Sequence, residues 1–280
     1  MQLSMNRFLP LTFALLLASC ATDGTSGLDL ESRSIAVEQN AVPTSGAGAS
    51  ASVSHLLPAT GPTYVTLTIS RPDPSGSGDS KAGGQAITSG SGYVVDGAGY
   101  IMSAAHVGVA KGNTVSARAS NGRVYSGTVI AVLPANDISL IKLRGFAGKS
   151  VTPSSPGCVA KGDLVYTLGR PHSQNDVARV GAFESRHFGR AVAYGKFGYP
   201  DAMVLHMGTQ KGESGGPVFD SSGHLIGMVV STLSDSQGNS INLAHAIPST
   251  ALANFYCANA QCSGQWAALS NKSVDDCNGA

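Results

Sequence analysis

The sequence predicts an all-β fold of the barrel or sandwich kind. Three observations carry that expectation: many short runs in which apolar and polar residues alternate, turn signals between them, and few helical patterns. Composition agrees. Of 280 residues, 42% are hydrophobic, enough for a core, and 35 are glycine. Only 12% are charged, against ~25% in typical soluble domains. Gly, Ser, Thr and Val suit strands and turns better than long helices. A formal net charge of +1, with no run of Lys or Arg, argues against nucleic acid as a partner.

The strands are expected in this order. Tyr64–Ile69 alternates and is the first. A loop of Gly, Ser, Asp and Pro over 72–84 follows. Ser91–Val95, the turn Asp96-Gly97-Ala98-Gly99 and Tyr100–Ser103 form a hairpin signature. Further candidates are Thr114–Ala119, Val124–Val132, Ile138–Leu143, Leu164–Leu168, Val177–Phe183, Leu225–Val230 and Ile241–Ile247. The best helix signal is Pro248–Phe255, with Ser249 or Thr250 as the expected cap. No fixed-period repeat is present.

Residues 1–19 are expected to be an export signal outside the fold. Arg7 precedes an apolar stretch, Phe8–Ala18, broken only by Pro10 and Thr12 and too short to span a bilayer. It ends in Leu17-Ala18-Ser19-Cys20, which resembles the lipobox of bacterial lipoproteins. The resemblance implies lipidation of Cys20 by acyl chains such as palmitate, giving a membrane anchor. Ala21, rather than Asp, follows the cysteine and points to the outer membrane, facing the periplasm. Residues 20–60 read as the lipidated cysteine and a flexible tether, rich in small polar residues such as Pro43–Ser50. Export also permits disulfides among Cys158, Cys257, Cys262 and Cys277, with three pairings open. Zinc spacing is poor, and neither a metal nor an organic cofactor is expected.

Three stretches carry chemistry: Ser103-Ala104-Ala105-His106-Val107, Asn136–Leu143 containing Asp137, and Gly212-Glu213-Ser214-Gly215-Gly216-Pro217. A serine hydroxyl is a weak nucleophile and needs a base within hydrogen-bond reach. Histidine suits that role because it titrates near neutrality. A buried carboxylate can then fix the imidazole in one tautomer. Glycines beside the serine let backbone N–H groups face a substrate carbonyl, with Gly212 and Ser214 as the expected oxyanion donors.

These stretches resemble the trypsin-like superfamily, most closely its bacterial HtrA (Deg) branch. The resemblance extends to Lys161–Pro171 and Leu243–Ser249, and covers about Thr63 to Ser249. It implies two six-stranded antiparallel β-barrels with a short C-terminal helix. The first barrel would carry His106, the general base, and Asp137, its orienter; the second would carry Ser214, the nucleophile. The implied organisation is a signal over 1–19, tether over 20–60, protease domain over 61–250 and a Cys-containing tail over 251–280. The implied activity is serine endopeptidase cleavage of envelope or secreted proteins through an acyl-enzyme.

Glu213 stands where such proteins usually carry Asn or Asp, and the stretch after Ser249 is too short for a PDZ domain. No trypsin-type activation sequence precedes the domain. His245 falls by resemblance near the base of the pocket for the residue before the scissile bond. Gly208 stands where trypsins place their lysine- and arginine-selecting Asp, so a small or medium apolar residue is expected there. The alternatives are an inactive trypsin-fold module that binds peptides or proteins, and an esterase-like hydrolase. The α/β-hydrolase elbow matches the same Gly-x-Ser-x-Gly, but Gly215-Gly216-Pro217 breaks the helix that elbow requires.

Overall fold

The computed structural model describes residues 34–39, 46–72 and 86–277. The export signal, Cys20 and the 72–84 loop beyond residue 72 lie outside the described residues. In chain order the elements begin with β1 (Ile35–Gln39), α1 (Gly46–Thr60), β2 (Tyr64–Ser70), β3 (Ala86–Val94), β4 (Tyr100–Ala104) and α2 (Ala105–Gly108). Next come β5 (Thr114–Ala119), β6 (Val124–Leu133), β7 (Ile138–Leu143), β8 (Leu164–Gly169), β9 (Asp176–Ser185), β10 (Val192–Tyr194) and β11 (Phe197–Tyr199). The last are β12 (Met203–His206), β13 (Pro217–Asp220), β14 (Leu225–Ser234), β15 (Ser240–Pro248), α3 (Ser249–Asn259) and α4 (Gly264–Leu269).

The strands close into two six-stranded antiparallel barrels. The first runs β2-β3-β4-β7-β6-β5 and returns to β2. The second runs β8-β9-β12-β15-β14-β13 and returns to β8. Closure removes the free sheet edges that would otherwise template aggregation. Alternation sorts side chains inward and outward, most plainly in β5, where Val115, Ala117 and Ala119 are buried and their neighbours exposed. Leu67, Ile101, Val129 and Ile141, which share one face of paired strands, fill the first barrel, and Val165, Phe183, Leu205 and Ile226 the second.

Both ends of the described chain correct the expected organisation. The tether reading fails for 35–39 and 46–60. Strand β1 pairs in parallel with β9, outside the second barrel. Helix α1 buries Val53 completely and seats Thr60 under the Tyr166 hydroxyl, which donates to Thr60 Oγ1 at 3.2 Å. The cause is local. Val53, Leu56 and Leu57 follow the small residues at helical spacing, and they find an apolar wall on the second barrel and β1.

The C-terminal stretch, expected as a Cys-containing tail with a short helix, carries two packed helices. Helix α3 starts after Pro248, which supplies an extended entry but no side-chain cap, so neither Ser249 nor Thr250 caps it. Its Tyr256 donates to Asp96 Oδ2 at 2.6 Å, and Trp266 of α4 donates from Nε1 to Val95 O at 3.1 Å. The chain thus leaves the second barrel at β15 and clamps the β3–β4 hairpin of the first. The disulfides pair Cys158 with Cys277 and Cys257 with Cys262.

Candidate active site

His106 and Asp137 meet at one end of the first barrel. His106 sits on the single turn α2, directly after β4. Asp137 sits between a 3-10 turn at 134–136 and β7, in the left-handed region at φ 51°. Aspartate tolerates that conformation better than most residues. Strands β4 and β7 pair side by side, with Ala104 opposite Ile138, so their ends carry the two residues together. Ala105 N–H donates to Asp137 O at 3.0 Å, and Ser139 Oγ donates to Ala104 O at 2.9 Å, fixing α2 to β7.

The carboxylate receives His106 from two sides. The backbone N–H of His106 donates to Asp137 Oδ1 at 2.9 Å, and Nδ1 lies 2.8 Å from Oδ2. Asp137 is fully buried, while His106 keeps a quarter of its side chain exposed. The ring is thus held at Nδ1 by a buried carboxylate, with part of its side chain open to solvent.

A third donor was not read from the sequence. The Tyr194 hydroxyl also donates to Asp137 Oδ2. Tyr194 lies on the β10–β11 hairpin, which belongs to neither barrel, and its ring packs edge-on to His106 with centroids 5.9 Å apart. Burial first, and then Asp137, push its phenol far up, so it stays a donor. The run Val192-Ala193-Tyr194-Gly195-Lys196-Phe197-Gly198-Tyr199 alternates around a Gly-Lys turn, and that pattern was the available signal.

Ser214 comes from the second barrel, on the turn before β13. Its turn is registered against the first barrel by two bonds from Ser91, which a third, within that barrel, braces. Ser91 N–H donates to Ser214 O at 2.9 Å, Ser91 Oγ donates to Gly212 O at 2.8 Å, and Ser103 Oγ donates to Ser91 O at 2.8 Å. Gly215 adopts φ +83°, and a Cβ there would overlap Ser103 Oγ and Ser91 O. The glycine is therefore required for the barrels to approach as well as for the turn. Among the described residues no hydrogen bond joins the Ser214 hydroxyl to His106. Such bonds are often long before substrate binds.

The amides of this turn alternate in use. Those of Glu213, Gly215 and Gly216 donate to Gln210 O, Val229 O and Glu213 O. Those of Gly212 and Ser214 donate to no group among the described residues. Two unspent donors flanking a serine are the elements of an oxyanion hole.

Glu213 turns away from the cleft and is fully buried. Arg179 Nε donates to its two oxygens at 2.9 and 3.2 Å, and Gln210 N–H to Oε2. Arg179 Nη1 in turn donates to Glu38 Oε2 of β1 at 3.0 Å. Burial raises the Glu213 carboxyl, and Arg179 opposes that rise. The residue before Ser214 is thus anchored in the second barrel. His245 is fully buried beyond the turn, with Nδ1 2.7 Å from the Tyr199 hydroxyl and its ring centroid 4.2 Å from that of Phe188. Burial lowers its pKa to about 4.

Two closed barrels with His106 and Asp137 on one and Ser214 on the other define the trypsin-like fold. Comparison with known proteins agrees. Residues 90–228 match the trypsin-like peptidase domain family. The chain is 31% identical over 166 residues to a probable periplasmic serine endoprotease DegP-like of Brucella suis, covering 59% of this chain and 31% of that protein. It is 30% identical over 177 residues to the mitochondrial serine protease HTRA2 of Bos taurus, covering 60% and 36%. The chain therefore spans about a third of the length of these curated relatives. Among solved structures, an HtrA-type protease AlgW with tripeptide superposes at a TM-score of 0.58 and 21% identity, covering 70% of this chain and 59% of that one. The domain match and the names of the relatives support a serine protease hydrolase.

Proposed function

We propose that the chain is a serine endopeptidase of the bacterial cell envelope, with His106, Asp137 and Ser214 as its catalytic residues. One observation carries the reading. The Ser214 turn is bonded through Ser91 to the hairpin that leads into His106, and the amides of Gly212 and Ser214 have no partner among the described residues. In the proposed reaction Ser214 Oγ attacks the scissile carbonyl carbon, and His106 Nε2 takes the hydroxyl proton. Asp137 holds Nδ1–H and stabilises the imidazolium. The carbonyl oxygen, now negative, accepts from the two free amides. His106 then passes its proton to the departing amine, and water repeats the sequence to release the acyl group.

Hydrolysis of an unfolded protein substrate tests this. Ser214→Ala is expected to abolish turnover, and Asp137→Asn to lower it by about 10³–10⁴-fold. Retention of activity in Ser214→Ala would refute the assignment. The relatives named periplasmic support placement in the envelope, and the Leu17-Ala18-Ser19-Cys20 run followed by Ala21 supports a lipid anchor at Cys20 in the outer membrane. A palmitate analogue is expected to label the full chain, and Cys20→Ala to lose both the label and membrane fractionation.

A further inference from the structure

A second polar feature lies beside the Ser214 turn and shares only Gly212 with the chemistry above. A cavity of about 190 Å³ opens between the barrels, lined by β2, the start of β3, Arg170, Ser173 and Gly212. Ser89 Oγ and Ser173 Oγ, both in its lining, hydrogen-bond each other at 3.4 Å. Arg170 is only partly exposed, its Nε is buried without a hydrogen-bond partner, and it forms no ion pair among the described residues. None of the lining residues is acidic. The free amide of Gly212 borders the same space. Arg170 leads into the turn at 171–173, where His172 and Ser173 both have positive φ, and His172 N–H donates to Lys211 O at 2.7 Å. Two successive non-glycine residues in that region are unusual and are held there by the surrounding structure.

A guanidinium with hydroxyls near it and, among the described residues, no carboxylate selects an anion, and a carboxylate fits its fork. The side of the substrate follows from the neighbours. Gly90, at the mouth, packs against Val107 of α2 and against Ser214 O. The cavity therefore lies on the α2 side of the serine, where His106 delivers its proton to the departing amine. The opposite side is bounded by β14, which Gly215 reaches through Val229 O. We infer that this cavity, with Arg170 at its wall, binds an acidic side chain of the substrate, within two residues on the carboxyl side of the scissile bond. This rests on the endopeptidase reading above and adds a substrate class to it.

Binding can be measured without turnover. Fluorescence anisotropy of the Ser214→Ala chain with short peptides carrying Asp, Ala or Lys at their second position gives the preference directly. The Asp peptide is expected to bind about tenfold tighter than the Ala peptide, as for one charge-assisted contact. Arg170→Glu in the same background is expected to reverse the order in favour of Lys. Equal affinities in both proteins would overturn the inference, whatever the activity of the wild-type chain. A separate fluorophosphonate labelling of the wild-type chain tests the endopeptidase reading. Acidic preference without labelling would leave the pocket standing and remove that reading.

Discussion

At the residue scale, Asp137 is the most heavily supported side chain of the site. It accepts from the His106 backbone, faces the His106 ring and accepts from Tyr194. Tyr194→Phe removes one donor to a buried carboxylate and keeps the ring packing. Hydrogen bonds to charged groups contribute about 1.5–3 kcal/mol, so kcat/KM is expected to fall at least about tenfold. An unchanged kcat/KM in Tyr194→Phe would show that this donor does not position the His106–Asp137 pair. Gly215→Ala is expected to be far more severe, since its methyl group would occupy the space of Ser91 O and Ser103 Oγ. Loss of labelling together with a lowered Tm would show that the barrels had separated at that contact.

Among the elements, the six strands of the first barrel and four of the second were legible, whereas β12, β13 and the covering elements were not. Thr114–Ala119 and Ile138–Leu143 stand at the bounds their alternation indicated. Strand β12, four residues of unbroken hydrophobic and His character, has no alternation to read. Strand β1 and helix α1 were hidden by small residues around them, because composition over a window masks a few well-placed apolar side chains. Glu213 looked like a departure of unknown effect, since its partner Arg179 is distant in sequence and only the fold joins them. The disulfides follow the same logic: spacing left three pairings open, and packing chose. Loop-closure entropy grows with the length enclosed. Cys158–Cys277, separated by 119 residues, is therefore expected to contribute about 5 kcal/mol, and Cys257–Cys262, separated by 5, about 2. Denaturant unfolding of Cys158→Ala/Cys277→Ala and Cys257→Ala/Cys262→Ala checks the ranking; an equal or reversed order would contradict it.

At the scale of the whole molecule, the site exists only because two barrels are held in register. Ser91 bonds them at the cleft, α3 and α4 clamp them from behind, and α1 with β1 backs the second barrel. Stability should carry a pH signature of that packing. Folding keeps His245 neutral, lowered from the ordinary 6.5 to about 4 by burial first and then by Arg190. The unfolded chain takes up this proton near pH 6.5. The contribution is thus complete above pH 6.5 and lost as pH falls towards 4, by roughly 2–3 kcal/mol after allowing for partial solvent screening. Thermal unfolding of wild type and His245→Phe between pH 7 and 4 is expected to give a flatter slope for the variant; parallel slopes would mean that His245 titrates normally.

The central claim is that the fold delivers a reactive Ser214 to the His106–Asp137 pair. Fluorophosphonate labelling of the folded chain, with the modified residue located by mass spectrometry, tests it most directly. One label per chain is expected, on Ser214, lost in His106→Ala although that variant still folds. A folded wild-type chain that takes no label, or takes it on another residue, would contradict the claim.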